Sequence, residues 1–333
     1  MANGATTPSR LGQSNLTGDT DALFLKVFSG EILTTFEEMN VMKDLHMVRT
    51  IQSGKSAQFP LTGIATAKYH TPGENIADAG AGYLSGIKHA EKIITIDDLL
   101  VASTFIANID ELKNHYDVRS IYAKELGKAL AKRFDIAAMK TLVAAAQGAS
   151  PIGGFGGTNL TGKLSATPLA SEIVDALMLA AQSLDEKDVP EDERFAILKP
   201  RDYYTLLGSD ETVLNRDFGG LGNVATGKIP TIAGISLFKS NHLNTVTVAS
   251  GSADANDALG KNDVFGAAGV GYNADDLSAI EMIVAHPSAI GTVKLLDLAT
   301  ESEYQIERQG TLFVAKYAMG HGVLRPECAV TIG

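Results

Sequence analysis

Two stretches of the sequence carry the spacing of a phosphate-binding loop. Residues 157–163 and 222–228 both read G-x-x-x-x-G-K, a pattern in which the backbone N–H groups of a glycine-rich turn cradle phosphate oxygens and the lysine reaches the outer phosphates. Both fail one residue further on. Leu164 and Ile229 stand where a Ser or Thr hydroxyl must hold Mg²⁺, and Pro230 hinders the helix whose N-terminus would face the anion. Flexible linker is the expected role of both, and a nucleotide-using enzyme is a remote reading.

The other candidates for chemistry are weaker. The histidines are His46, His70, His89, His115, His242, His286 and His321, with none paired at i, i+3 or i, i+4 as a helical metal site requires. Hydrogen-bonded structural roles are expected for them, and for His89 with Glu91 a polar pair on one strand face. The run 185–193 holds six carboxylates and one lysine but lacks the glycine and ordered spacing of a calcium loop, so a solvated turn is expected. Cys328 stands alone, which excludes an intrachain disulfide and reads as a free buried thiol. No G-x-S-x-G elbow and no H-E-x-x-H motif occurs. The expectation is a protein without catalytic, cofactor or metal residues.

What remains is a set of elements that must position surfaces. The 333 residues are 45% hydrophobic and 20% charged, the composition of a folded chain with a sizeable core. Its apolar runs fall far short of the roughly 20 residues that span a bilayer, and residues 1–10 show no secretory signal, so synthesis is expected to end in the cytoplasm. A net charge of −11 disfavours a dedicated nucleic-acid binder, because phosphate backbones would repel the molecule as a whole.

Along the chain, residues 1–20 have the polar, small-residue composition of an arm. Phe24, Phe28, Ile32 and Phe36 then recur every four positions as one helical face. From 51 to 106, β-branched and aromatic residues punctuated by glycines predict a two-stranded ribbon with its tip at 72–86, marginal in water unless a neighbour covers it. Residues 110–147, with Asp110 as N-cap, predict a helix of roughly 57 Å interrupted only by Gly127, where bending is easiest. The cluster Gly153, Gly154, Gly156 and Gly157 reads as a boundary. Beyond it an α/β half is expected, with helices starting at Thr167-Pro168 and at Pro200 and strands at 195–198, 229–239 and 277–284. Strand-like alternation returns at 303–332 with a turn at Gln309-Gly310.

Several strings are familiar in their order: ALFLKVF at 22–28, HMVR at 46–49, SGKSAQFP at 53–60, PGEN at 72–75, NHYDVRS at 114–120, GTVK at 291–294, AKYAMGHG at 315–322 and LRPE at 324–327. Together they resemble the T7-like podovirus major capsid protein family over about residues 21–327. The resemblance implies an α+β, HK97-type capsid fold. Its parts would be an N-terminal arm (1–50), an E-loop ribbon (51–106), a P-domain spine helix with the following loop (107–165), an A-domain (166–291) and P-domain return strands (292–333). It further implies a non-enzymatic subunit that self-assembles into hexamers and pentamers of an icosahedral shell around the double-stranded DNA of a tailed phage, in the host cytoplasm. Scaffolding protein and portal protein would be its partners, DNA would be touched only non-specifically, and no membrane would be involved. Phe24 and Phe28 on the arm, and Lys55, Phe59, Tyr69, Glu74 and Tyr83 on the ribbon, are the residues expected at subunit contacts, with Gly127 as a hinge or, in the alternative reading, as a seat that lets a neighbouring element pack closely. An encapsulin-like compartment shell is the alternative reading.

Overall fold

The longest apolar pattern in the sequence becomes helix α1 (Val118–Gln147), 30 residues and about 45 Å long. The computed structural model describes residues 32, 35, 40–77, 83, 86–96, 98–108, 118–152, 154–165, 167–208, 231–244 and 280–333. The expected start of the helix at Asp110 lies outside them, as do the arm residues Phe24 and Phe28. The first half of α1 exposes Ile121, Tyr122, Lys124 and Glu125, whereas from Phe134 to Ala146 every residue is buried. Such a helix is enclosed on all sides, and its alanines at 137, 138, 144, 145 and 146 let neighbours approach closely.

Two sheets enclose it. The first, in order β1-β10-β11-β4, contains β1 (Met47–Thr50), β4 (Leu100–Ala107), β10 (Ile290–Gln305) and β11 (Gly310–Val323). The second, in order β5-β12-β9-β6-β8-β7, contains β5 (Thr158–Leu160), β6 (Phe195–Leu198), β7 (Thr231–Ile232), β8 (Ile235–Lys239), β9 (Met282–Ala285) and β12 (Ala329–Ile332). Strands β6 and β9 are buried at every position, the continuous apolar reading of strands covered on both faces. Helix α2 (Ala170–Asp185) buries Ile173, Leu177, Ala180 and Leu184, the stripe visible in the sequence. It begins later than the Thr167-Pro168 start, because the Leu169 N–H and the Ser165 hydroxyl both donate to the Glu172 carboxylate one turn in. Helix α3 (Pro200–Leu207) starts with its proline in the first turn as expected. The turn at Gln309, left-handed at φ 49°, joins β10 to β11 after a short 3₁₀ segment.

A third pair, β2 (Ser56–Thr62) and β3 (His89–Thr95), forms the ribbon, in antiparallel register from Ser56↔Thr95 to Thr62↔His89. It is shorter than the span 51–106. The strand at Leu100–Ala107 is present but pairs with β11 in the first sheet, from Tyr317↔Leu100 to Gly310↔Ala107. Alternation of residue types predicts a strand and says nothing about its partner. The return segment 292–333 likewise divides, since β12 inserts between β5 and β9 in the second sheet.

Gly157, at the head of the first G-x-x-x-x-G-K stretch, departs from its reading as flexible linker. Gly157 N–H donates to the Gly148 carbonyl (2.9 Å), and a methyl on Gly157 would overlap the Ala145 and Ala146 carbonyl oxygens. The chain there hugs the end of α1. Gly127 is buried in a comparable seat: a Cβ would come 3.0 Å from both the Ile32 carbonyl oxygen and the Thr35 Cβ. This contact supports a close-packing role. We expect Gly127→Ala to lose about 1 kcal/mol net, overpacking outweighing the gain in helix propensity, with the deficit visible in thermal unfolding of the subunit. A stability gain accompanied by slowed shell expansion would instead support the hinge.

Candidate assembly site at the ribbon and its root

The ribbon leaves the body where three of the familiar strings meet. Met47–Thr50 runs parallel to Gly291–Lys294, which is antiparallel to Met319–Gly322. Glycine is required at the meeting point. A Cβ on Gly322 would sit 2.6 Å from Ile94 Cγ1, one on Gly291 would sit 2.8 Å from Leu324 Cδ1, and one on Gly320 would overlap the Thr95 carbonyl oxygen. Ile94, fully buried, packs with Ala57, Val293 and Leu324 in a small cluster separate from the main core. This cluster is what fastens the ribbon to the subunit.

Beneath it lies a chain of buried polar groups. His46 Nδ1 is 2.6 Å from the Met42 carbonyl oxygen, which can only accept, so that nitrogen carries the proton. His46 Nε2 is therefore an acceptor, and Thr292 Oγ1 donates to it at 2.6 Å. The threonine oxygen in turn accepts from His321 Nδ1–H at 2.8 Å. Burial lowers the His46 pKa to about 4, and burial together with the nearby His46 lowers that of His321 to about 3. Phe134 of α1 supports both rings, with centroids 5.8 Å from His46 and 5.0 Å from His321.

Toward the tip the described residues of the ribbon bury no core. Among its described residues, Ile64, Tyr69, Ile76 and Ile87 are exposed, Tyr69 at 98%. Near the root, Arg49 Nη1 donates to the Gln58 carbonyl (2.7 Å), and the Arg49 guanidinium carbon lies 5.8 Å from the centroid of the half-buried Phe59 ring. Lys55 has an exposed side chain, and its carbonyl accepts from Ile96 N–H (2.9 Å). The Tyr83 hydroxyl accepts from Thr71 N–H (2.8 Å) and donates to the Glu74 carboxylate, while Lys68 lies 4.9 Å from the centre of its ring. Glu74 and Tyr83 thus meet each other across the tip, whereas Lys55 and Phe59 lie at the root. The relay His46–Thr292–His321 and the glycine seats were not recognised from the sequence, although HMVR, GTVK and AKYAMGHG contain all of them.

The other motifs resolve into structural roles. Thr158–Leu160 of the first G-x-x-x-x-G-K stretch is an edge strand paired with β12, and Lys163 N–H donates to the Gly333 carbonyl (3.2 Å), so its backbone forms a ladder and no phosphate cradle. The second stretch lies outside the described residues. The acidic run wraps Arg194, whose Nη2 pairs with Asp185 (2.7 Å) and donates to the Val189 carbonyl (2.5 Å). His242 Nδ1 meets the buried Asp135 at 2.9 Å, and Asp135 also accepts the Val41 and Met42 N–H groups at 3.1 Å each. Cys328 is buried, with its thiol pKa pushed up mainly by that burial, and the Ser288 hydroxyl lies 3.2 Å from its sulfur.

A helix enclosed by two sheets, with a ribbon whose described tip residues bury no core of their own, is the architecture of a shell-forming subunit with the HK97-type capsid fold. The capsid structure of the cyanophage P-SCSP1u matches over 98% of each chain with a TM-score of 0.72 at 38% identity. The mature capsid of bacteriophage PhiM1 matches over 97% of this chain and 92% of its own with a TM-score of 0.67 at 21% identity, a likeness of fold alone. The model of the Gp10A-like major capsid protein family matches residues 58–333, and the major capsid protein of Escherichia phage T7 is 38% identical over 329 residues, 94% of this chain and 92% of that one. The chain belongs to the Gp10A-like major capsid protein family.

Proposed function

We propose that copies of this chain close into hexamers and pentamers of an icosahedral shell around the double-stranded DNA of a tailed phage, each ribbon lying on a neighbouring subunit. The observation that carries this reading is the ribbon itself: exposed apolar side chains at 64, 69, 76 and 87 lie in the segment joining β2 to β3, whose described residues bury no core of their own. Lys55, Phe59, Tyr69, Glu74 and Tyr83 are its contact residues, and Phe24 and Phe28 clip the arm. If each neighbour contact contributes about 4 kcal/mol, equivalent to millimolar pairwise affinity, several per subunit still make a cooperative shell that corrects its errors. The net charge of −11 suits a wall that touches DNA only non-specifically. Scaffolding protein, a portal at one vertex and assembly in the host cytoplasm complete the reading, and the subunit performs no catalysis. An encapsulin-like shell is disfavoured because the family match is to a major capsid protein and the relatives of high identity are phage capsid proteins.

Electron microscopy of the expressed chain tests the shell, with closed polyhedral particles expected. Hydrogen exchange tests the ribbon: amides of residues 60–95 should exchange quickly in free subunits and slowly in particles. Equal protection in both states would remove the neighbour from the argument.

A further inference from the structure

Thr292 lies at the centre of a hydrogen-bond chain with a fixed direction: His321 Nδ1–H to Thr292 Oγ1, Thr292 O–H to His46 Nε2, and His46 Nδ1–H to the Met42 carbonyl. A proton arriving at His46 Nε2 reverses the middle bond. The threonine oxygen then accepts from both rings, and its own hydrogen loses its partner in a place where His46, Thr292 and His321 are all buried. A second proton, on His321, creates two cations with ring centres 6.4 Å apart.

The charged groups around the chain offer little relief. From α1, Asp135 raises the His46 pKa, but that carboxylate is already engaged by His242 and by two backbone N–H groups. From the segment before β1, Asp44 raises it further, while Lys294 of β10 opposes both. The Phe134 ring closes the other side, with Tyr317 of β11 edge-on to it at 6.5 Å.

The strand held by this chain is a short edge strand. Strand β1 has four residues, every one of them exposed, at the edge of its sheet. It also holds the ribbon, through Arg49 to the Gln58 carbonyl and the Phe59 ring.

We propose that His46–Thr292–His321 is an acid-released latch, which at neutral pH clamps strand β1, and through Arg49 the ribbon, to the body of the subunit. The sign follows from the histidines being neutral when buried. Their folded pKa values of about 4 and about 3 lie below the ordinary 6.5, so the latch is at full strength above pH 6.5 and weakens as the pH falls toward 4. Release takes up two protons over that window, shifting the opening equilibrium by up to about a hundredfold per pH unit.

Hydrogen exchange of the full chain between pH 7 and 4, corrected for intrinsic rates, tests this on the amides of residues 46–51 and 89–95. The expected result is opening that grows steeply with acid in the wild type. His321→Gln, whose amide can still donate to Thr292, should reduce the growth to about tenfold per pH unit, and Thr292→Ser should retain the wild-type slope. Identical slopes in the wild type and His321→Gln overturn the latch. Should His321→Gln fail to fold, ¹⁵N spectra of the wild-type imidazoles decide: both rings protonated on Nδ1 and neutral at pH 6 support the proposal, whereas titration of either near 6.5 refutes it.

Discussion

Placing one methyl group on residue 320 should cost the subunit its ribbon root. The Cβ of Gly320→Ala would overlap the Thr95 carbonyl oxygen and lie 3.1 Å from the Ile96 Cα, both backbone atoms that cannot rotate aside. The ribbon would have to lift from β11, drawing Ile94 off Gly322 and opening the small cluster with Ala57, Val293 and Leu324. The expected loss is about 3 kcal/mol in chemical denaturation, with particle formation abolished at expression temperature. Gly86→Ala serves as the control, because nothing lies within 4 Å of its Cβ position and a change within about 0.5 kcal/mol is expected there. If Gly320→Ala and Gly86→Ala behaved alike, the glycine seats would have no part in holding the ribbon.

Phe134→Ala should be the most damaging substitution within α1. The ring is 1% exposed and stands between the helix and the buried histidines, 5.0 Å from His321 and 6.5 Å from Tyr317. Its removal leaves a cavity among rigid neighbours, at a cost of about 4 kcal/mol and a fall of roughly 10 °C in Tm. Water entering the space would ease desolvation of His46 and His321 and let their pKa values rise back toward 6.5, so the stability of the variant should fall less steeply with acid than that of the wild type. Phe134→Leu keeps most of the volume and should lose about 1.5 kcal/mol at most. A loss below 1 kcal/mol for the alanine variant would mean that the helix is not anchored at this ring.

Part of the candidate site was legible in pieces. The ribbon strands and the loop between them followed from β-branched and aromatic composition broken by glycine, which is a local property. The root was not legible as a site. His46, Thr292 and His321 are separated by 246 and 29 residues along the chain, and no periodicity links a histidine to a threonine at that distance. Gly157 was read as slack because glycine has the same identity whether a chain needs freedom or closeness, and only the approach of the Ala145 and Ala146 carbonyls distinguishes the two.

By itself the sequence determined the long helix, the apolar strand Phe195–Leu198, a strand in the region 277–284 that the structure places at Met282–Ala285, the helix start at Pro200 and the turn at Gln309, because each is specified by neighbours within a few residues. Its ordered strings also pointed to a capsid family. Tertiary structure alone decided that Leu100–Ala107 joins β11 and leaves the ribbon, that Ala329–Ile332 crosses into the second sheet, and that three glycines and two histidines form one root. Strand partners and close approaches are chosen by burying apolar surface and satisfying polar groups across the whole chain, and local residue patterns contain no record of that choice.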